Sequence, residues 1–325
     1  MKLPRRGFLH LAAAAAVTSA VPRLASALDY PNRQIRWIIG FPPGGGADIV
    51  SRIMGRWLSE RLGQQVVIEN KPGAGTNIAT ETVVNAPPDG YTMLWAGISN
   101  AINAMLYPGL SFDFLRDIAP VAGLVNFPLV IEAHPSVPAK NIAELVALAK
   151  ANPGKITLAS YGTGTISHVA GELFKAKVGV NMVHVPYRGG APMVSDLLGG
   201  QVQVGIDVVA ASLPHIRSGA LRALAVTTAE RLEALPDVAT VAETIPGFEA
   251  VAWTGVGVPR GTPEAIVKLL NREINAGLMD PAIKARFAEL TVSPLIFSPA
   301  EFGAYMAAET EKWTKVIKVA GIKPE

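Results

Sequence analysis

Residues 35–62, IRWIIGFPPGGGADIVSRIMGRWLSERL, decide the fold of this chain. The run Ile35–Ile39 is short and apolar and leads directly into a loop rich in proline and glycine, which predicts a buried strand. After the loop, apolar residues recur at helical spacing from Ile49 to Leu62, with charged residues such as Arg52 on the opposite face. The stretch therefore predicts a strand, a glycine-rich loop and an amphipathic helix.

Outward from this unit, the alternation of strand and helix continues through the chain. Helical spacing begins after Thr76, after Asn141 and at Ile166, and Pro281 and Pro299 stand at first helical positions in the tail. Such alternation is typical of an α/β protein with parallel sheets covered by helices on both faces. Short apolar runs predict further strands at 66–68, 92–96, 129–131, 156–160, 183–185, 202–206, 221–226 and 251–258.

Length and pattern together predict two lobes. A chain of 325 residues is long enough for about two domains. The strand–helix pattern restarts after Phe127 and rejoins the first part near Val251. We therefore predict a first lobe of residues 28–126 and 252–325 and a second lobe of residues 127–251. No long glycine–serine linker separates them, which favours strands that cross between the lobes.

The first 27 residues have the composition of an export signal. Arg5 and Arg6 precede an apolar run, and the small-residue motif ASA at 25–27 predicts cleavage before Leu28. The paired arginines favour a twin-arginine signal, and an ordinary secretory signal is the alternative. Beyond this segment the sequence has no apolar run of membrane-spanning length and no cysteine for a lipid anchor or a disulfide. We therefore expect a bacterial periplasmic protein.

The charge balance argues against a nucleic-acid partner. The predicted export segment holds four basic residues and no acid, whereas the remaining chain holds 25 basic and 26 acidic residues. No run rich in lysine or arginine occurs in that remainder, so no basic binding face is predicted.

The loop at 41–48, FPPGGGAD, is the first candidate binding site. Its glycines allow backbone N–H groups to approach a ligand closely, and the N-terminus of the following helix adds a partial positive charge, which suits a carboxylate. Asp48 either caps backbone amides or binds a ligand amine or hydroxyl; alternatively the loop is only a tight turn. The candidate ligand-binding residues here are Phe41, Pro42, Gly44, Gly45, Gly46 and Asp48.

The segment 160–168, SYGTGTISH, is the second candidate. It also joins a predicted strand to a helix, and its hydroxyl and amide groups suit a second carboxylate; the alternative is a helix cap rich in serine and threonine. His168 either braces the loop or contacts the ligand. The candidate residues are Ser160, Tyr161, Gly162, Thr163, Gly164, Thr165 and His168.

Polar groups follow several other predicted strands. Ligands of α/β proteins bind at the carboxyl ends of the strands, so these loops are expected to converge on one cleft. Asp207 accepts a hydrogen bond either from a loop amide or from the ligand. Arg188 could pair with a carboxylate, but a solvated surface position is the interpretation we favour. The further candidates are Asn77, Ser99, Tyr187, Gly189 and Asp207.

The motifs of common enzymes are absent from the sequence or incomplete. Ser167 stands where the third glycine of a dinucleotide fingerprint would follow Gly162 and Gly164, and no nucleophile elbow or phosphate-binding loop occurs. The histidines after the export segment lack metal-binding spacing. We expect no enzyme, no metal and no cofactor. The remaining catalytic alternative is a secreted hydrolase that uses Ser99 or Ser160.

Taken in order, the loop motifs resemble the substrate-binding proteins of tripartite tricarboxylate transporters, the Bug family. The resemblance spans essentially the whole chain after the export segment and rests on the combination of motifs. They include FPPGGGAD (41–48), NKPGAGTNIA (70–79), PPDGYTML (87–94), SYGTGTISHVAGELF (160–174) and VHVPYRGGAPMVSDLLGGQVQVGID (183–207).

The resemblance implies a two-lobed periplasmic-binding-protein fold, similar to type II, with the ligand cleft between the lobes. Family members bind organic anions such as dicarboxylates, amino acids or aromatic carboxylates. The loops at 41–48 and 160–165 would clasp carboxylate groups through amides, hydroxyls and bridging waters, and His168 matches a typical family position. Thr76 and Ala79 depart from the family pattern, which commonly has glycine there.

The resemblance also implies the partners. These are a small organic carboxylate, either a dicarboxylate or an aromatic carboxylate, and the integral-membrane subunits of a transporter, with the receptor itself a monomer. An alternative output stays open, in which the closed protein presents a surface to a membrane sensor kinase instead of a transporter.

Overall fold

A computed structural model describes residues 30–107 and 109–322. The predicted export signal at 1–27 lies outside the described residues. None of the helices in the described part of the chain combines the length and apolar character needed to cross a membrane.

Helices and strands alternate along the described chain, as predicted. The first part contains β1 (Ile35–Ile39), α1 (Gly46–Leu62), β2 (Val66–Asn70), α2 (Asn77–Val84), β3 (Thr92–Gly97), α3 (Ile98–Leu106) and α4 (Phe114–Asp117). The middle part contains β4 (Ile118–Ala133), α5 (Ile142–Ala151), β5 (Thr157–Ser160), α6 (Ile166–Val178), β6 (Val183–Pro186), α7 (Gly190–Leu198), β7 (Val204–Val208), α8 (Val209–Arg217) and β8 (Arg222–Val226). The last part contains β9 (Val251–Pro259), α9 (Glu264–Met279), α10 (Pro281–Glu289), β10 (Ser293–Pro294) and α11 (Pro299–Ala320).

The strands form two parallel groups that are joined by two antiparallel strands. Strands β2, β1 and β3 pair in parallel, and so do β7, β5 and β6. Between these groups, β9 pairs antiparallel with β3 and β4, and β4 pairs antiparallel with β7 and β8. The predicted parallel pairing is confirmed within each group, whereas the two crossing strands pair antiparallel. The chain crosses between the groups on β4 and returns on β9, and two passes in opposite directions pair antiparallel.

Strand β4 changes partners along its length. Its residues from Ile118 to Pro128 pair with β9, and those from Leu129 to Ala133 pair with β7 and β8. The elements around β1–β3 form a first lobe and those around β5–β7 a second. The sequence-based boundaries, at 126/127 and 251/252, fall close to this change of partner and stay a prediction.

The C-terminal helices pack on the first lobe. The indole N–H of Trp57 on α1 donates a 2.9 Å hydrogen bond to the carbonyl of Glu273 on α9. On α11, Phe302 is fully buried against Trp253 of β9, with ring centroids 5.9 Å apart. The first contact joins α9 to α1, and the second packs α11 against β9.

Helix starts follow the sequence signals in most places. Pro281 and Pro299 begin α10 and α11, and the Asn141 side chain caps α5, as predicted. Thr76 precedes α2, but its side chain makes no cap bond. Its φ is +83°, and its hydroxyl instead accepts a hydrogen bond from the side-chain amide of Asn100 at 3.1 Å.

Candidate ligand-binding site

Five helices begin around one cavity between the two lobes. The lining includes Gly46 at the start of α1, Ile98 of α3, Ile166 of α6, Gly190 of α7 and Val208 immediately before α8. The first N–H groups of a helix have no partner within that helix, and the helix dipole adds a partial positive charge there. The cavity is thus surrounded by groups that favour an anion.

Most of these helices lack a side-chain cap. Gly45, Gly97, Gly189 and Val208 occupy the N-cap positions of α1, α3, α7 and α8, and none makes a side-chain cap bond. By contrast, four helices away from the cavity are capped by the side chains of Asp113, Asn141, Asp280 and Ser298. The N-cap residues therefore offer no side-chain oxygen to the amides that border the cavity. The Gly97 and Val208 amides themselves donate to Asn100 and Asp207.

Aromatic residues form much of the cavity wall. Phe41 and Tyr161 meet edge to face with ring centroids 6.0 Å apart, and Trp95 and Phe127 lie 6.4 Å apart. The cavity volume is about 70 Å³. A ligand of this site is consequently small, with an apolar body between its polar groups.

The polar lining is neutral or acidic. Across residues 30–107 and 109–322, no lysine, arginine or histidine contributes to the lining. Asn100 is held in place because its side chain accepts from the Gly97 amide at 2.7 Å and donates to Thr80 at 2.7 Å. The hydroxyl of Thr254 donates to the Val125 carbonyl at 2.9 Å. Positive potential in this cavity therefore comes from backbone amides rather than from charged side chains.

Asp207 is the one carboxyl group in the described lining. Its side chain is 1% exposed; Oδ1 accepts from the Val208 amide at 2.8 Å, and Oδ2 has no hydrogen-bond partner among the described residues. Burial raises the pKa of Asp207 to about 7, against the opposing effect of the Val208 hydrogen bond. The pKa of the nearby buried Glu132 is also raised, first by burial and then by Asp207.

Only part of the first predicted loop lines the cavity, and the other part holds the loop in its conformation. Phe41, Pro42, Gly45 and Gly46 line the cavity, whereas Gly44 and Asp48 do not. The carboxylate of Asp48 accepts hydrogen bonds from the Gly44 amide at 3.1 Å, from Arg52 at 2.9 Å and from Asn70 at 3.0 Å. Burial alone would raise the pKa of Asp48, but these bonds outweigh it and the pKa is lowered. Of the predicted alternatives, the structure favours the one in which Asp48 braces the loop.

The second predicted loop contacts the first lobe. Only Tyr161 and the following Ile166 belong to the lining. The Tyr107 hydroxyl donates to the Thr163 carbonyl at 3.0 Å, and a β-carbon on Gly164 would lie 2.3 Å from Asn103 Oδ1. Glycine at 164 therefore permits this close approach between the lobes.

His168 supports this loop from behind. The Gly164 amide donates to its Nδ1 at 3.4 Å, and Thr165 caps α6 by accepting from the His168 amide at 3.5 Å. Burial lowers the pKa of His168 to about 4, so the ring is neutral near pH 7. Of the two predicted roles for His168, the structure supports bracing.

Ser160 lies next to a pair of stacked histidines. Its hydroxyl is 2.7 Å from His184 Nε2, and the His184 ring stacks on His168 with centroids 4.3 Å apart. Ser160 is 1% exposed and is not part of the cavity lining, so this serine–histidine pair does not face the cavity. No local pattern predicts the contact between these histidines, because they lie 16 positions apart in the chain.

The same cluster contains the described residues best placed to hold a metal ion. Ligand atoms of His168, Glu172 and His184 lie within 4.8 Å of one another. However, the ammonium group of Lys175 lies 2.6 Å from Glu172 Oε1 and occupies one of these ligands in an ion pair. A metal ion would have to displace that ammonium group.

The remaining predicted site residues also divide into two sets. Ser99 and Asp207 line the cavity. Asn77 accepts from the Asn103 side chain at 2.9 Å, and the Tyr187 hydroxyl donates to Asp196 at 2.7 Å. A β-carbon on Gly189 would lie 2.3 Å from the Pro42 ring, so this glycine is a contact between the lobes. Ligand binding by the predicted residues stays a prediction.

Several lining residues were not predicted from the sequence. Many of them come from strand interiors or from strands that pass directly into helices, whereas Ala47, Ile166 and Gly190 lie within or next to the predicted loops. Gly97 is followed at once by α3, and Val208 by α8; this direct junction is the signal that could have revealed them. The additional lining residues are Ala47, Trp95, Gly97, Ile98, Asn100, Phe127, Ile166, Gly190, Val208, Ala211, Ala252, Trp253 and Thr254.

The fold and the site define a class: two-lobed periplasmic-type binding proteins with a small-ligand cavity between the lobes. Residues 50–322 match the family described as "Tripartite tricarboxylate transporter family receptor", and the chain belongs to this family. The resemblance found in the sequence is thereby confirmed.

Relatives extend over nearly the whole chain. BugT of Bordetella pertussis is 38% identical over 309 residues, which cover 94% of this chain and 95% of BugT. A Rhodopseudomonas palustris protein solved with adipate is 36% identical with a TM-score of 0.89, over 91% of this chain and 100% of that one. MatC from Rhodopseudomonas palustris, solved with bound malate, is 30% identical with a TM-score of 0.82, over 89% of this chain and 100% of MatC.

Proposed function

We propose that this chain is a periplasmic receptor that binds a small organic carboxylate in the cavity and delivers it to a tripartite tricarboxylate-type membrane transporter. One observation carries the proposal: helices α1, α3, α7 and α8 begin at the cavity without side-chain caps. Uncapped helix N-termini bind anions through backbone amides and the helix dipole.

The ligand's size and shape follow from the walls. A volume of about 70 Å³ suits a small acid, and aromatic rings such as Phe41 and Tyr161 suit an apolar body between or beside the acid groups. A dicarboxylate or an aromatic carboxylate meets both conditions. Adipate and malate, which the two related structures hold, are dicarboxylates and the natural first probes.

Closure of the lobes would complete the site. Lining residues come from both lobes, including Phe41 and Ser99 from the first and Tyr161 and Asp207 from the second. A ligand that contacts both lobes stabilises the closed state, because only that state makes all the contacts. We place the bend near Phe127 on β4 and Val251 on β9, where the chain crosses between the lobes.

Export is part of the proposal. Residues 1–27 would direct the chain to the periplasm, with cleavage before Leu28, and the mature receptor would act as a freely diffusing monomer. Mass spectrometry of the protein recovered from the periplasm would test this: an N-terminus at Leu28 supports export and cleavage, and a retained Met1 contradicts it.

A thermal-shift screen of the purified protein tests carboxylate binding. The panel pairs each acid with its uncharged amide, so that adipate is matched by adipamide and malate by malamide. A ligand present at 100 times its Kd stabilises the native state by about 2.7 kcal/mol, which raises the unfolding temperature of a chain of this length by about 4 °C. Shifts with acids and none with amides support the proposal; shifts with amides alone contradict it.

Delivery to a transporter needs a cellular test. Deleting the gene should abolish uptake of the bound acid, and complementation with the Gly45→Val variant should fail to restore it. If uptake persists while the transcriptional response to the acid is lost, the protein serves a sensor and the transport part of the proposal is wrong.

A further inference from the structure

Asp207 presents an unusual problem for a cavity that would bind an anion. The side chain is 1% exposed, and its Oδ2 has no hydrogen-bond partner among the described residues. Leaving a buried polar atom without a hydrogen bond destabilises the folded state, so we expect a partner for Oδ2 to arrive with the ligand.

The surroundings of Asp207 offer no compensating positive side chain. The ionisable groups that face it are Glu132 on β4 and Tyr161 at the end of β5. Gly190 at the start of α7 lies next to it, and the amide of Val208, immediately before α8, donates to it. Within the described chain, backbone amides are therefore its only source of positive charge.

Two ionised carboxylates cannot share a small buried cavity without strong repulsion, and one of them takes up a proton. Burial raises the pKa of Asp207 to about 7, whereas a free carboxylic acid has a pKa of about 4. The proton therefore goes to Asp207 rather than to the ligand.

We propose that Asp207 is a specificity-determining residue of the cavity, which binds the ligand's carboxylate as the neutral acid and donates a hydrogen bond to it from Oδ2. This inference rests on the proposed function. The proton comes from solvent and stays on Oδ2, and no covalent bond of the ligand changes. Ligand capture above neutral pH is then coupled to the uptake of one proton.

Titration calorimetry with adipate and with malate tests the inference. Repeating the titrations in phosphate and in Tris, whose ionisation enthalpies differ, gives the number of protons taken up. We expect about half a proton at pH 7 and close to one at pH 8.5, with affinity falling about tenfold per pH unit above 7. The carboxyls of adipate and malate are ionised throughout this range.

The Asp207→Asn variant supplies a matched neutral side chain that keeps an N–H donor. Its affinity for adipate should be independent of pH between 6.5 and 8.5 and should exceed that of the wild type at pH 8.5. The control is Asp237→Asn, which removes an exposed acid of the same lobe and should retain the wild-type pH dependence. The wild-type proton count tests the inference even if Asp207→Asn does not fold.

Binding of adipate or malate without proton uptake, and with a flat pH profile, overturns the inference and leaves the proposed function standing. Selective loss of malate binding in folded Asp207→Asn also overturns it, because Asp207 would then be an ionised acceptor for the malate hydroxyl. No binding of either acid to the wild type at any pH contradicts the proposed function itself.

Discussion

At the scale of single residues, the chemistry of the cavity depends on what is missing from the helix starts. Gly45, Gly97 and Gly189 have no side-chain oxygen, so they leave the first amides of their helices uncapped. A serine or aspartate at these positions would satisfy the same amides and compete with the ligand. The absence of a side chain is thus a functional feature of this site.

Gly45→Val should block binding and leave the fold intact. The backbone of Gly45 is extended, with φ −82° and ψ 171°, and a β-carbon there would meet no atom closer than the Pro42 carbonyl at 4.0 Å. Valine tolerates this conformation, but its methyl groups would occupy space beside the open amides. We expect at least a tenfold loss of affinity for adipate in calorimetry, with an unchanged unfolding temperature without ligand. Unaltered affinity would show that the ligand does not approach this loop.

Asp207→Asn should alter the pH dependence of stability without any ligand. The folded-state pKa of Asp207 is about 7 against an ordinary 3.8, so the wild type loses stability as the pH rises from about 4 through 7. A shift of about three units corresponds to about 4 kcal/mol. The variant lacks this loss and should be similar to wild type at pH 4 and more stable at pH 8, as measured by urea unfolding. A difference that does not change with pH would contradict the burial argument.

At the scale of elements, α7 connects the cavity to the surface of the second lobe. It begins at Gly190 beside Asp207 and ends before Gly199. A β-carbon on Gly190 would lie 3.1 Å from Asp207 Oδ1 and 3.3 Å from Oδ2, which is closer than ordinary contact. The start of this helix therefore fixes the position of the buried carboxyl group.

Substitutions at Gly190, the first residue of α7, and at Gly199, immediately after its last residue, separate the positioning of Asp207 from general effects on the helix. Gly190→Ala should displace Asp207 by a few tenths of an ångström, weaken adipate binding several-fold and reduce stability by about 1 kcal/mol. Gly199→Ala is the matched control, because its β-carbon would come no closer than 3.5 Å to another atom. Calorimetry and thermal unfolding of both variants test the expectation, and equal effects from the two would count against it.

Much of the fold could be predicted from local sequence, since the signals were local. The strand Ile35–Ile39 and the helix after the glycine loop appear where periodicity and loop composition indicated. The antiparallel pairing of β4 with β9 could not be predicted, because it joins residues about 130 positions apart and depends on the whole topology.

The cavity was only partly predictable for a related reason. A glycine-rich loop before a helix, such as 41–48, can be recognised in the sequence and predicts backbone N–H groups that a ligand can reach. Trp253 gives no such signal, because it lies within an apolar strand like many core residues and reaches the cavity only through the sheet arrangement. Conversely, Thr163 and Gly164 have a binding-loop composition, yet Gly164 packs against Asn103 of α3 and Thr163 accepts a hydrogen bond from Tyr107, immediately after α3.

At the scale of the whole molecule, the two lobes meet around the cavity through loops and are connected by β4 and β9. Tyr107 contacts Thr163, and Pro42 packs against Gly189. Helix α11 of the first lobe also packs against α6 of the second lobe. In the hinge motion that we propose, these contacts separate while β4 and β9 hold the lobes together.

Small-angle scattering should detect this closure. The radius of gyration should be smaller with saturating adipate than without it, because the ligand stabilises the state in which both lobes contact it. The Gly45→Val variant provides the control and should not contract at the same adipate concentration. An unchanged radius in wild type at saturation would contradict the hinge.

The central claim is that the uncapped helix N-termini bind the charge of a small carboxylate. Titration calorimetry of the purified protein at pH 6.5 with adipate and with adipamide, which has the same chain length but no charge, tests this claim most directly. We predict saturable binding of adipate and no measurable binding of adipamide. Equal binding of both would mean that the cavity recognises the apolar chain, and no binding of adipate, of malate or of an aromatic acid such as benzoate would contradict the claim.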